Sequence, residues 1–351
     1  MKKINTLFCL VLSLSAFSQS VTYLDFNNAS ASCSNSSIYF VNQANNTAAY
    51  SVPQNEDKKT IYSSSMWVTA KNQLDQIVGS ATLYGSGEYD FFPGPISDNY
   101  NAAEYTDYAD QLWEVTKIEI DAHKVQFNDV GYVIPNAILN WPGNGNTSIG
   151  MAEQLAPFAD LNNNGIYEPA SGEYPCIKGH KAIYSIMNDE NGNRNVTSLD
   201  SMRIEMHIMF YQYATNNYLN TTTFFEVSLF NRSNQTYSDI NLGSFTDLDI
   251  GGALDDMVGS DSTRSILYAY NGDLNDEGAF GASGYGSDVP ACGIKLLSQS
   301  ASSIVGFEAT TGKSLAKYIT KTKVIDEQGN KPTFEMFLIR SACRYIPFEP
   351  F

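Results

Sequence analysis

Histidine is almost absent from this chain: only His123, His180 and His207 occur, and no HExxH run links any two of them, which excludes a zincin-type metal centre. No GxSxG elbow is present, so the exposed serine nucleophile of the α/β-hydrolases is excluded as well. Cysteine is scarce and widely spaced, at positions 9, 33, 176, 292 and 343, a pattern that fits neither a zinc knuckle nor a thioredoxin-like pair. Basic side chains are few, 21 against 38 acidic ones, for a formal charge of −17. A surface of that sign repels phosphate and gathers divalent cations, so nucleic acid is not expected as a partner.

Long apolar runs are missing too. The one clear run, residues 7–17, follows Lys2 and Lys3 and is too short to span a bilayer, so residues 1–18 read as a signal peptide. Ala16 and Ser18 place small residues where a signal peptidase reads them, which favours cleavage before Gln19. The expectation is a soluble protein that is secreted, extracellular or on the outer cell surface, and not an integral membrane protein. Losing Lys2 and Lys3 lowers the basic count from 21 to 19 against 38 acidic residues, for a formal charge of −19. Cys33, Cys176, Cys292 and Cys343 then remain, enough for two disulfides in three pairings or for free buried thiols.

What the chain does have is strand signal. Residues 37–41, 60–70 and 76–84 are rich in β-branched and aromatic residues between polar clusters. Residues 203–213 alternate, with Ile204, Met206, Ile208 and Phe210 on one face and Arg203, Glu205, His207 and Met209 on the other. Residues 222–230 alternate again, joined to them as a long hairpin or a crossover, and short strands are expected at 265–270, 303–308 and 333–340. One helix interrupts the pattern: Thr116 and Glu119 make a capping box, and Ile120, His123 and Phe127 share a face. A short helical turn is expected around 151–155. The fold class expected is mainly β, with antiparallel β-sandwich-like layers, one short helix and calcium-type loops. The expected divisions are the signal peptide 1–18, a β-rich domain 19–140, a loop-rich junction 141–180, and a β-sandwich-like domain 181–351.

The most specific motif lies in the junction. The segment DLNNNGIYEPASGEY, residues 160–174, repeats oxygen-bearing side chains at every second position and turns at a glycine. Asp160, Asn162 and Asn164 at positions one, three and five, the carbonyl of Ile166, and Glu168 at position nine form an oxygen set suited to a hard cation that takes ligands at about 2.3–2.6 Å. The twelfth position holds Ser171 rather than the EF-hand Glu, with Glu173 the nearby carboxylate, so an isolated structural Ca2+ loop is expected rather than an EF-hand. Turn chemistry of Asn, Asp and Gly is the alternative reading. A second acidic stretch holds Asp247, Asp249, Asp255, Asp256 and Asp261, whose mutual repulsion a cation would relieve, against the alternative of a solvated acidic loop. Asn271, Asp273, Asp276 and Glu277 follow closely.

Catalytic signals are weak. Glu205 and His207 share a strand face, but a half-exposed strand ordinarily shows such residues to water. Paired carboxylates for glycoside hydrolysis would have to come from Glu88, Asp90, Glu205 or Glu226, and Trp67, Trp113 and Trp141 suit either a sugar groove or a core. No catalytic residue or organic cofactor is assigned.

Several segments, NNAS, SSMWVTA, YDFFPGP, WPGNGN, LAPFADLNNNGIYEPASGEYPCIKG, TTFFEVSLFNRS and GSFTDLDIGGALDDMVGSD, cover nearly all of the chain beyond the leader. Together they resemble a group of secreted Bacteroidetes proteins, typically cargo of the type IX secretion system. The resemblance implies an extracellular or cell-surface location and proteins mostly without an assigned activity. Such proteins usually continue into a carboxy-terminal sorting domain, which is not seen before Phe351, as expected of a truncated product. The function expected is a calcium-stabilised, non-catalytic module with an adhesion, matrix or scaffold role. The alternative is a polysaccharide-binding protein or glycoside-acting enzyme, with extracellular glycan or a cell-surface protein as partner.

Overall fold

The computed structural model describes residues 20–82, 90–190, 194–279 and 281–297. The signal-peptide segment, Glu88, Cys343 and the strands expected at 303–308 and 333–340 lie outside the described residues. The fold is mainly β, built from antiparallel sheets with few helices. Its central sheet joins Lys181–Asn188, Ile204–Gln212 and Thr223–Asn231 in chain order, each antiparallel to the next, so the expected long hairpin forms. Phe92–Pro93 and Trp113–Thr116 pair one after the other along the outer edge of Lys181–Asn188.

The central sheet's strands Lys181–Asn188 and Ile204–Gln212 are buried on both faces. Ile183, Met187, Ile204, Met206, Ile208 and Phe210 point into one core, shared with Leu24, Tyr39, Phe40, Met66 and Val68 from other sheets. Tyr184, Ile186 and Met209 point the other way, into a second core with Trp113, Ile120, Trp141, Leu155 and Tyr167. The alternation at 204–210 therefore sorts side chains between two cores, rather than between a core and water.

Beside it stand a sheet centred on Ser63–Lys71, flanked by Ser238–Asp247 and Ile38–Tyr39 with Ile77–Ser80 also paired to it, and a sheet ordered Val21–Leu24, Ser30–Ser34, Tyr50–Ser51, Lys59–Ile61. A three-stranded sheet follows from Asp256–Asp261, Ile266–Asn271 and Ala291–Lys295. The expectation of sandwich-like layers is corrected here: the sheets take a four-bladed, propeller-like arrangement rather than two facing layers. The first core explains why two layers do not suffice, since inward residues of three sheets meet in it.

The helix Lys117–Gln126 carries the expected capping box, with Thr116 accepting from Glu119 and Glu119 reaching back to Thr116, and it buries Ile120 and His123. The helical turn expected around 151–155 is absent; Asn144 and Gln154 form an isolated bridge there instead. Cys33, Cys176 and Cys292 are free thiols. Burial pushes the Cys33 thiol well up and raises Cys292 to about 11, so neither is a ready nucleophile at neutral pH.

Phe210 is the hub of the first core, fully buried, with its ring 5.2 Å from Tyr39, 6.4 Å from Phe40 and 6.3 Å from Phe225. Phe210→Ala should lower unfolding stability by about 3–5 kcal/mol in denaturant titration. A loss below about 1 kcal/mol would show that these rings do not form one packed unit.

Candidate functional site

The oxygen-rich loop is closed by a two-stranded ribbon, Phe158–Ala159 against Tyr174–Pro175, and not by helices. Asn163 (φ 61°) and Gly165 (φ 77°) take left-handed backbone angles that fold the chain back on itself. Within the fold Asp160 accepts from the amides of Asn164 at 3.2 Å and Gly165 at 2.8 Å, and Asn162 Oδ1 also meets the Asn164 amide, at 3.0 Å. Asn164 Oδ1 accepts from Ile166 N–H at 2.7 Å. Glu168 Oε2 accepts from the side-chain amides of Asn162 at 3.0 Å and Asn164 at 2.7 Å. Glu173, fully buried, accepts from Leu161 N–H at 3.0 Å and Glu168 N–H at 2.7 Å, so it ties the two ends of the loop together. His123 supports this from behind, its Nε2 3.2 Å from the Glu173 carbonyl oxygen.

The residues fit a hard cation by the chemistry of the donor set. Asp160, Asn162, Asn164 and Glu168 are drawn to one another through shared partners, and the hydrogen bonds to the carboxylates of Asp160, Glu168 and Glu173 come from uncharged amides. Their negative charge is therefore solvated by dipoles, not cancelled by lysine or arginine. No group of three or more His, Cys, Asp or Glu side chains forms a metal cluster among the described residues. A cation here would have to draw on amide oxygens as well as carboxylates.

The second acidic stretch is divided by the fold. Asp247 ends the strand Ser238–Asp247, and Asp249 lies just beyond it. Asp256 starts the next strand, with Asp255 beside it. Burial first, then the charges of Asp247 and Asp256, raises Asp249 to about 6. Burial likewise raises Asp256 to about 6, against a hydrogen bond from Ile250 and with help from Asp276 and Asp255. Asp261 is not brought to this group. It sits at the far end of the strand Asp256–Asp261, where it accepts from the Thr263 amide at 3.0 Å and pairs with Arg264 at 3.2 Å.

Glu205 and His207 depart from the solvated-face expectation: both are buried. Their face of the sheet is covered, and they are satisfied by one another and by residues distant in sequence. Tyr184 Oη lies 2.8 Å from His207 Nδ1, and His207 Nε2 lies 3.1 Å from Glu205 Oε2. Arg232 pairs with that same Oε2 at 2.7 Å, while Ile96 N–H donates to Oε1 at 2.9 Å. Burial drives the His207 pKa down, against the pull of Glu205. Burial also works to raise Glu205, but hydrogen bonds from His207 and Arg232 and the charge of Arg232 hold it below its ordinary value. The consistent assignment is an ionised Glu205 and a neutral His207 that donates through Nε2 and accepts the Tyr184 hydroxyl at Nδ1.

This network borders a cleft of about 640 Å³ that runs from Asp160 past Tyr184 and His207 to Glu226, Ser228 and Phe230. Lys178 and Glu226 form an ion pair on its wall. Alternation alone placed Glu205 and His207 on one face; nothing local announced Tyr184 or Arg232 as their partners. Trp113 and Trp141 are core residues and Trp67 stacks on Phe245 at 5.6 Å, so the tryptophans do not line this cleft. Asp90 is buried and holds the amides of Val196 and Thr197 at 3.1 and 3.2 Å, a structural role.

Comparison with known families finds residues 280–350 similar to the RDD family, a match over well under half of the chain. Of that segment the described residues include only 281–297. RDD is a membrane-associated family, and this overturns the expectation of a secreted, extracellular or outer-surface location. No helix among the described residues is long and apolar enough to cross a membrane. The match does not bear on the resemblance to type IX secretion cargo. No curated protein and no solved structure matches the chain.

The buried histidine sets a pH dependence. His207 in the unfolded chain takes up a proton near its ordinary value of 6.5, whereas the folded chain resists it, so acid favours unfolding through this group. The stability advantage of the wild type over His207→Gln should shrink as pH falls from about 7.5 to about 5 in denaturant titrations. A difference constant over that range would contradict a buried neutral His207.

Proposed function

We propose that the chain is a non-catalytic binding or scaffold module whose loop at residues 160–173 is stiffened by calcium. The observation that carries this reading is the loop's carboxylates, which are hydrogen-bonded by uncharged amides alone. Asp160, Asn162, Asn164, Glu168 and the Ile166 carbonyl would hold the ion, while Glu173 fixes the loop ends from inside. Calcium would supply the positive charge that the loop lacks and would order its exposed turn. The most chemically versatile group beside the cleft, His207, has both ring nitrogens engaged, which supports a role in the framework rather than in proton transfer to a substrate.

A polysaccharide ligand is the second reading, favoured by the cleft itself. Its lining combines the Phe230 and Tyr184 rings with Ser228, Glu226 and Lys178, a mixture of flat apolar faces and hydrogen-bonding groups suited to sugar rings.

Chelation separates these ideas from simple turn chemistry. Removing calcium from the full chain should lower the melting temperature by several degrees, and Asp160→Ala should shrink that shift, because binding confined to the folded state adds its energy to stability. A melt indifferent to both calcium and chelator would sink the calcium reading. Saturable binding in a glycan array would favour the second reading.

A further inference from the structure

Two buried acceptor oxygens near the second acidic stretch have no donor. Asp256 and Asn271 are direct cross-strand partners in the hairpin of Asp256–Asp261 and Ile266–Asn271, so their side chains share one face, with Cβ atoms about 4.5–5.5 Å apart. Asn271 is only 8% exposed, and its Oδ1 has no hydrogen-bond partner. Its Nδ2 is turned towards Asp273, 3.5 Å away. Asp256 gives Oδ2 to the Ile250 amide at 2.7 Å, while its Oδ1 is buried and equally without a partner. Proteins rarely leave such acceptors bare, and two on directly paired residues of one sheet face invite a shared positive group.

The surroundings deepen the demand. Asp249 is close enough for its carboxyl to be raised by the charge of Asp256, and Asp276, 2% exposed, adds another carboxylate that acts on Asp256. Asp276 is itself tied to the backbone, with Oδ1 on the Gly252 amide at 2.8 Å and Oδ2 on the Tyr285 amide at 2.7 Å, and it adds to the negative field. Arg264 is committed to Asp261 at the opposite end of the hairpin. A bridging water would satisfy the two orphan oxygens but leave the carboxylate charge unbalanced; a hard divalent ion meets both needs.

We propose that Oδ1 of Asp256 and Oδ1 of Asn271 hold a calcium ion at a site separate from the loop at 160–173, in the negative field of the neighbouring carboxylates. The ion would fasten the strands Asp256–Asp261 and Ile266–Asn271 to one another at the end of their hairpin. This goes beyond the loop reading and rests on different residues.

Calorimetric titration of the full chain with Ca2+ alone tests it. Wild type should bind two ions, Asn271→Leu one, Asp160→Ala one, and the double variant none. Tyr62 lies beside this site, donating its amide to the Asp247 carbonyl at 2.9 Å and feeling the charge of Asp249, so it should sensitise bound Tb3+. Tb3+ emission from the second site should persist in Asp160→Ala and disappear in Asn271→Leu and Tyr62→Phe. If Asn271→Leu does not fold by circular dichroism, Asp256→Asn carries the test, with affinity at this site weakened about tenfold or more. A single wild-type ion that Asp160→Ala abolishes overturns the proposal and leaves the loop reading intact. A single ion lost in Asn271→Leu but kept in Asp160→Ala supports the proposal and removes the loop reading. Unchanged stoichiometry and affinity in both Asn271→Leu and Asp256→Asn also overturns it, as would be found if the amide simply turned to donate to Asp256.

Discussion

Buried carboxylates gripping main-chain amides hold this molecule's connections in place. Asp90 gathers the amides of Val196 and Thr197, Asp189 those of Met202 and Ile204, Asp276 those of Gly252 and Tyr285, and Glu173 those of Leu161 and Glu168. In each case an acidic side chain fixes backbone groups that lie outside the sheet ladders and would otherwise need water. The composition makes this device necessary: with 21 basic residues against 38 acidic ones, arginine and lysine cannot pair with most carboxylates. Among these buried acids, Asp189 also lies 3.9 Å from Arg194, and Glu205 meets both Arg232 and His207.

That device also positions the candidate sites. Two strands of the central sheet are covered on both faces, and their second face is roofed by residues from the segment around 113–177. The calcium-type loop hangs from that roof, closed by its own ribbon and anchored by Glu173 and His123. The cleft is the place where the roof stops short of the sheet, and Asp160 stands on its rim. Where amides suffice, as at Asp276, the carboxylate is satisfied. Where they run out, as at Asp256, an orphan oxygen is left beside other negative charges.

Local signals were legible wherever the cause was local. The capping box of Thr116 and Glu119 and the two-residue period at 204–210 each depend on near neighbours, and both appear in the structure. The strand Lys181–Asn188 was missed because both of its faces are buried, which erases alternation from KAIYSIMN. Ser238–Asp247 was missed because its polar sequence reads as loop and its pairing partner lies far away, at Ser63–Lys71. The burial of Glu205 and His207 could not be read locally, since it depends on Tyr184, Ile96 and Arg232 arriving from elsewhere in the chain. Sandwich layers were expected from strand content alone, but strand content does not specify how many sheets share a core. The secreted location rested on the amino-terminal segment and the type IX resemblance, and the similarity of residues 280–350 to a membrane-associated family counts against it.

The central claim is that carboxylates served only by neutral amides in the 160–173 loop await a hard cation. Anomalous diffraction from crystals of the full chain grown with calcium tests it most directly. The account predicts a peak enclosed by Asp160, Asn162, Asn164 and Glu168. Density at that position behaving as water, with the same amides still bonded to the same carboxylates, would contradict it.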